Sequence, residues 1–433
     1  MDPNKARIFD LHEHQLTHFP QEVALASKED GNWKSYSTDE FIKLANQLGL
    51  GLLNLGLKKG DKVAIVSNNR PEWHIVDLAL LQIGITTVPI YSNITSEDYV
   101  YILKDSGASL IFVSDEDLNE MMKVAQTMVP TLLHIYSFDQ VKDCKNWKEL
   151  LIGEDFSPVE DLKRTIESRD LATLIYTSGT TGKPKGVMLS HHNLVSNVID
   201  SKERLPCDEN GSSLSFLPLC HVLERMVCYL YIYTGVSIYY AESMDTIGDN
   251  LKEVKPHVFT AVPRLLEKIY DKILSKGNEL KGIKKMLFFW ALDLGHKYEI
   301  HGKGPWYKLQ LAIANKLVFS KWRAALGGRA LAVASGSAAL QPRLARIFLA
   351  AKIPIMEGYG LTETSPVIAV NCEKNDGVRI GTVGRPINNV EVKIAEDGEI
   401  LVRGPNVMMG YYKKEEATKE VLSEDGWFHT GDI

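Results

Sequence analysis

The stretch Tyr176-Thr177-Ser178-Gly179-Thr180-Thr181-Gly182-Lys183-Pro184-Lys185-Gly186-Val187 directly follows an apolar run, residues 171–176. It gathers hydroxyl side chains, two lysines and three glycines in one turn. Hydroxyl and ammonium groups donate hydrogen bonds to phosphate oxygens, and glycines let backbone N–H groups come close to an anion. The composition predicts a polyphosphate loop after a buried strand. Spacing excludes a Walker A loop, because only Thr180 and Thr181 separate Gly179 from Gly182. Pro184 has no N–H and holds Lys183 extended, so the turn is not expected to open a helix. A plain surface turn draws on the same residue types, but rarely in this order.

On both sides of this loop short apolar runs alternate with helical patterns. Before it, residues 62–67, 86–90 and 110–113 read as strands, and 73–83 and 116–127 as helices. Pro71 suits the start of the first helix, and Thr95 with Asp98 forms a capping-box pattern for another through Leu103. After the loop, helices are predicted over 193–201, 222–233 and 264–275, and strands over 212–217, 236–240 and 257–261. The alternation predicts an α/β fold with mainly parallel sheets flanked by helices. Beyond Thr364 the pieces become short and β-rich, at 381–386, 390–394 and 399–402, with Asp397-Gly398 as a hairpin signal. A small β-barrel or sheet is expected there.

The chain has 433 residues, 45% of them hydrophobic and 24% charged, which suits a large globular core. Its net charge of −6 gives no electrostatic footprint for nucleic acid. The five cysteines form no CxxC pair and no metal spacing, as expected of a reducing cytosol. No basic-then-apolar leader opens the sequence and no uncharged run reaches membrane-span length. One region departs from the acidic balance: residues 281–323 hold nine Lys/Arg against two acids. Trp306, Leu309, Ile313 and Leu317 fall there at helical spacing, with Lys308, Lys316 and Lys321 among the polar positions. Such a helix either lies on an anionic membrane surface or packs its apolar stripe on the core.

Four ordered segments carry a resemblance. Residues 176–187 resemble the phosphate loop of the adenylate-forming superfamily of acyl-CoA synthetases, luciferases and adenylation domains. Ser335-Gly336-Ser337-Ala338-Ala339-Leu340 resembles its adenine-contacting turn. Glu357-Gly358-Tyr359-Gly360-Leu361-Thr362-Glu363-Thr364-Ser365-Pro366 resembles its nucleotide-and-magnesium segment, and residues 427–432 its ribose-binding segment. Residues 216–225, with the basic insert and Ala324-Ala325-Leu326-Gly327-Gly328, are most similar to long-chain fatty acyl-CoA synthetases. Some bacterial relatives carry a tryptophan gate near this helix start. Arg225 stands there instead, so a tryptophan-gated tunnel is not carried over.

The resemblance implies two stacked α/β subdomains with mainly parallel sheets, residues 1–170 and 171–355, and a small β-barrel subdomain, 356–433. It implies ATP-dependent conversion of a long-chain fatty acid to acyl-AMP with release of pyrophosphate, then transfer to coenzyme A. Thr177, Ser178, Gly179, Thr180, Thr181, Gly182 and Lys183 would hold the β- and γ-phosphates, with Lys185 in the same field or held inside the domain. Thr177 and Glu363 would bind Mg²⁺, which takes few protein ligands beside phosphate and water. Thr362 would contact the α-phosphate. Gly336, Ser337, Glu357, Gly358, Tyr359 and Gly360 would frame adenine and its phosphates, with Tyr359 stacked on the base. Asp432 would accept the ribose hydroxyls. His221 would sit near the reacting carboxylate; a lone histidine at a strand–helix junction is otherwise a satisfied core residue.

Relatives add a smaller C-terminal domain that supplies a ribose-binding arginine, an α-phosphate lysine and much of the CoA surface, and none of these residues is in this sequence. The chain is therefore expected to bind ATP or an acyl-adenylate and to adenylate poorly alone. The rival readings are an acyl-AMP ligase that loads a carrier protein, and a non-catalytic nucleotide- or acyl-binding remnant. The expected partners are fatty acid, ATP and CoA, with no nucleic acid. The expected location is cytoplasmic, with peripheral contact of 281–323 on the inner face of the membrane.

Overall fold

A computed structural model describes residues 1–177, 182–373 and 377–433. Two mainly parallel sheets organise them. The first has eight strands in the order Gly410–Tyr411, Lys185–Ser190, Leu171–Thr177, Thr86–Ile90, Lys62–Val66, Leu110–Val113, His134–Ser137 and Lys145–Asn146. The second has nine, in the order Arg385–Pro386, Val367–Val370, Ile355–Gly360, Ala332–Ser335, Val258–Ala261, Ser212–Ser215, Ser237–Tyr240, Leu25–Glu29 and Asn32–Tyr36. Their central strands are aliphatic on both faces, as in Val63, Ala64, Ile65 and Val66, because helices cover both sides.

Two helices have no solvent face. Every residue of Pro71–Gln82 is buried, and the helix begins at a proline whose missing N–H would have had no helical acceptor. Helix Val222–Thr234 is buried along nearly its whole length and stops at Gly235, in the left-handed region at φ 77°. A Cβ on Gly235 would also come within 2.6 Å of the Phe19 Cβ.

Arg225 ties these helices to the first sheet. Its guanidinium is fully buried and donates to Asp77 Oδ1 at 2.5 Å, Tyr229 Oη at 2.7 Å, Thr173 Oγ1 at 2.8 Å and Thr87 Oγ1 at 2.9 Å. Tyr229 donates its hydroxyl to the other Asp77 oxygen. An isolated charge at this depth would be prohibitive, and full hydrogen bonding is what makes the pair tolerable. The residue that stands in place of a tryptophan gate is thus a structural cation.

Three elements differ from the sequence reading. Lys185–Ser190 is a strand antiparallel to Leu171–Thr177, with Thr177 beside Lys185, so the loop is the tip of a hairpin. The β-rich end is a three-stranded sheet, Glu391–Ile394, Ile400–Arg403 and Phe428–His429, where the residues left a barrel or a sheet open and the resemblance implied a barrel. Val367–Val370 and Arg385–Pro386 pair onto the nine-stranded sheet. The Asp397-Gly398 hairpin forms as read, with Ile394 beside Ile400. In the basic region Trp306, Leu309, Ile313 and Leu317 point outward, 44% to 71% exposed. Helix Pro305–Ala314 runs into a π-helical turn, Asn315–Phe319, which shifts the buried face to Ala314, Val318, Phe319 and Trp322.

Candidate active site

The loops at one edge of both sheets converge on a cavity of about 560 Å³. The hairpin contributes Thr177 and Lys185, the turn after Ala332–Ser335 contributes Gly336 and Ser337, and Ile355–Gly360 with the turn after it contributes Gly358, Tyr359, Gly360, Thr362 and Glu363. His221 enters from the start of helix Val222–Thr234. These residues lie far apart in sequence and share one hollow because parallel strands end their loops on the same side.

Backbone geometry dictates several of the residue types. A Cβ on Gly360 would sit 1.9 Å from the Pro366 carbonyl oxygen, so only glycine fits. Gly336 lies against the Leu223 side chain, 3.3 Å from where its Cβ would be. Ser337 takes a left-handed φ of 68°, which turns the chain across the cavity mouth.

Glu363 is held from both ends. Its carboxylate accepts the Tyr411 hydroxyl at 2.9 Å, and its backbone carbonyl accepts the Met408 N–H at 2.8 Å. The Lys185 ammonium lies 4.8 Å from the Tyr411 ring centroid, so a cation stands over the same aromatic face. Burial and the neighbouring Glu363 carboxylate push the Tyr411 phenol up, and it stays a donor. Glu363 and Thr177 line one cavity and present hard oxygen donors suited to Mg²⁺. Among the described residues no cluster of three carboxylate, histidine or thiol groups exists, so a magnesium ion here would draw mostly on phosphate and water.

His221 caps its helix: its Nδ1 accepts the Leu223 N–H at 3.2 Å. Burial lowers its pKa, and an Nδ1 acceptor leaves the proton on Nε2. The ring is therefore a neutral donor at the cavity wall. Glu357 is buried on its strand, and burial raises its carboxyl to about 7. Tyr359 donates its hydroxyl to Asp432 Oδ2 at 2.6 Å. Residues 429–432 are anchored by Glu399, which takes the His429 ring at 2.8 Å and the Gly431 N–H at 2.8 Å.

The structure brings most of the sequence-read residues together, with exceptions. Ser178, Gly179, Thr180 and Thr181 lie outside the described residues. Gly182 and Lys183 are exposed, and the Lys183 ammonium lies 5.1 Å from the Tyr101 ring centroid, off the cavity lining. Lys185 lines the cavity in its place. Asp432 and Glu357 reach the site through Tyr359 and the strand, not as lining groups. Sequence reasoning missed Tyr411, and also Ser335, whose buried hydroxyl lines the cavity with no hydrogen-bond partner among the described residues. The deep wall is apolar: Val222, Met226, Leu230 and Tyr231 follow one face of the helix, opposite Val258 and Phe259.

A family model described as AMP-binding enzyme matches residues 12–412. The chain is 36% identical over 412 residues to the long-chain-fatty-acid–CoA ligase FadD15 of Mycobacterium bovis, covering 93% of this chain and 68% of that protein. It is 33% identical to fatty acyl-CoA synthetase A of Dictyostelium discoideum, covering 94% of this chain and 64% of that one. The fold matches the N-terminal domain of FACL13 from Mycobacterium tuberculosis at a TM-score of 0.75 and 19% identity, over 98% of this chain and 96% of that one. It matches a long-chain-fatty-acid–CoA ligase, FadD1, from Archaeoglobus fulgidus at 0.76 and 20% identity, over 99% and 81%. At these identities the structural likenesses establish the fold.

Proposed function

We propose that this chain, which belongs to the AMP-binding enzyme family, activates a long-chain fatty acid with ATP to give acyl-AMP and pyrophosphate, and passes the acyl group to coenzyme A. One observation carries this reading: a single cavity runs from polar loop ends that suit a nucleotide to an apolar wall that suits an acyl chain. The relatives' names favour CoA over a carrier protein as acceptor.

In this reading a carboxylate oxygen attacks the α-phosphorus of ATP in line, and the bond from that phosphorus to the bridging oxygen of pyrophosphate breaks. The CoA thiolate then attacks the acyl carbon, and the bond from that carbon to the AMP oxygen breaks. Both steps need positioning and charge neutralisation from the protein. Lys185 and Thr177 would hold the β- and γ-phosphates from the cavity wall, joined by the loop donors Ser178, Gly179, Thr180, Thr181, Gly182 and Lys183 expected from the sequence, and Thr362 would contact the α-phosphate. The neutral His221 donates Nε2–H to the acyl oxygen. Gly336, Ser337, Glu357, Gly358 and Tyr359 frame the adenine, and Asp432, oriented by Tyr359, takes the ribose hydroxyls. Thr177 and Glu363 would hold Mg²⁺, which would supply neutralisation of phosphate charge.

The test is calorimetric binding of a non-hydrolysable palmitoyl-adenylate analogue; absence of binding sinks the reading. Glu363→Gln should weaken Mg²⁺-dependent ATP binding about tenfold, and unchanged binding would remove the metal assignment.

The same proposal includes a cytosolic location with peripheral contact at the inner face of a membrane. No helix among the described residues is long and apolar enough to cross one. The outward stripe of Trp306, Leu309, Ile313 and Leu317, flanked by Lys308, Lys316 and Lys321, supports contact through 281–323. Trp306→Glu should abolish co-sedimentation with anionic vesicles, and unaltered sedimentation would refute the contact.

A further inference from the structure

A second cavity, of about 570 Å³, lies on the opposite face of the nine-stranded sheet. Alternation along the strands separates the two: Val258, Ala332 and Met356 face the nucleotide-type cavity, while Val333 and Ile355 pack into the helical layer that forms the second. Its walls are helices Ile247–Val254, Pro263–Glu279, Gly282–His296 and the turn and helix over 315–325.

Its chemistry divides into a floor and a rim. Leu265, Ile269 and Ile273 stand on successive turns of helix Pro263–Glu279 and form an apolar row, faced by Leu251, Phe288 and Trp322. Beside that row, three residues further along in each case, Lys268, Lys272 and Lys276 form a row of ammonium groups. Lys252, Lys284 and Lys321 join them from the other walls, and Asp245 is the one carboxylate among the lining residues. Lys252 pairs with Asp249 at 2.9 Å, whereas the other five lysines make no ion pair among the described residues. The chain as a whole carries −6, so this gathering is local and not a by-product of composition.

Like charges collected around a low-dielectric hollow repel one another and raise the energy of the folded chain. A ligand with several negative charges relieves that repulsion, and one with a long hydrocarbon tail also covers the floor. A single carboxylate would neutralise one of the five free lysines, whereas a head with several phosphate charges matches the row. The volume lies within the range of about 300–1,000 Å³ typical of small-molecule sites.

We propose that this hollow binds a long acyl chain joined to a polyphosphate head, the chemistry of a long-chain acyl-CoA thioester, separately from the catalytic cavity. That this thioester is the protein's own product rests on the function proposed above. The site itself rests on the lysine row and the apolar floor.

The experiment uses the chain with its first cavity filled by the palmitoyl-adenylate analogue, and titrates a non-hydrolysable thioether analogue of palmitoyl-CoA by calorimetry. One equivalent should bind, with affinity that falls as salt rises. Joint substitution Lys268→Glu, Lys272→Glu and Lys276→Glu should weaken it about thirtyfold, and leave binding of the adenylate analogue unchanged as the control for folding. CoA alone and palmitate alone should each bind at least about tenfold more weakly, since each lacks one half of the match. No binding in the filled protein, or equal binding by the triple variant, overturns the proposal. Equal binding of CoA or of palmitate overturns the assigned ligand class, as does retention on phosphatidylglycerol vesicles without binding of the thioether. If the adenylate analogue itself fails to bind, the functional reading falls, and the lysine substitutions alone then decide this site.

Discussion

The two cavities are nearly equal in volume, about 560 and 570 Å³, yet they are made from different material. The first is built where strands end: its polar end is turns, glycines and a capped helix start, and only its deep wall is apolar side chains. The second is built between helices, largely from long apolar and lysine side chains. In the first, a residue type is demanded by the backbone, because no other would fit. In the second, a residue type is demanded by charge and apolar area, which many sequences can supply.

The contrast can be broken most severely at the helix shared by the first cavity and the core. Asp77→Ala would leave Arg225 as an unpaired buried cation and should cost about 3–5 kcal/mol in chemical denaturation. Its effect should reach the adenylate analogue as well, since Met226 and Leu230 on the same helix line the cavity. A loss below about 1 kcal/mol would mean that this wall is not pinned as described.

Next in size is a pH effect one residue away. Glu224 is buried, accepts the Thr260 hydroxyl, and burial raises its carboxyl from 4.5 to about 7. The folded carboxyl keeps its proton in that interval while the unfolded one releases it, so folding takes up a proton. Stability should therefore fall as pH rises from about 4.5 to 7, by about 3 kcal/mol in all. Glu224→Gln should flatten the curve in that window, and an equally steep curve in the variant would assign the slope elsewhere.

A paired glycine substitution sharpens the comparison directly. Alanine at Gly360 meets a backbone oxygen at 1.9 Å, while alanine at Gly277 meets the Phe288 ring at 2.1 Å. A backbone obstacle cannot swing aside and a side chain can. Gly360→Ala should cost about 3 kcal/mol and Gly277→Ala about 1 kcal/mol, read from thermal unfolding. The smallest expected effect is Tyr411→Phe, which removes one hydrogen bond to Glu363 and should weaken Mg²⁺-dependent ATP binding about fivefold with stability nearly unchanged.

What could be read from the sequence follows the same division. The converging loops were legible because their glycines, hydroxyls and acids are fixed by local geometry, so the order of residues survives in the chain. Tyr411 was not legible, since it acts on Glu363 from 48 residues away and nothing in its own neighbourhood marks it. Ser335 was passed over beside Gly336 because a hydroxyl's lack of a partner is a property of the packed state. The hairpin Leu25–Glu29 and Asn32–Tyr36 lacks a strong apolar alternation, being half-exposed at a sheet edge, and was not foreseen. The spacing of Trp306, Leu309 and Ile313 announced a helix but not its orientation, because a stripe has the same period whether it faces in or out. The lysine-fringed hollow draws on four walls and has no motif at all.

The nine-stranded sheet starts and ends its pairing at distant times in the life of the chain. Leu25 lies beside Ile238, so the first strand of this sequence to be synthesised has no parallel neighbour until some two hundred residues later. At about 5–20 residues per second that wait is about 10–40 s, during which a lone hairpin is only marginally stable. The eight-stranded sheet waits longer still for Gly410–Tyr411, the strand that carries the anchor of Glu363. The nascent chain therefore assembles its nucleotide-type site only after nearly all of these residues have emerged, and its early strands need shielding from aggregation until then.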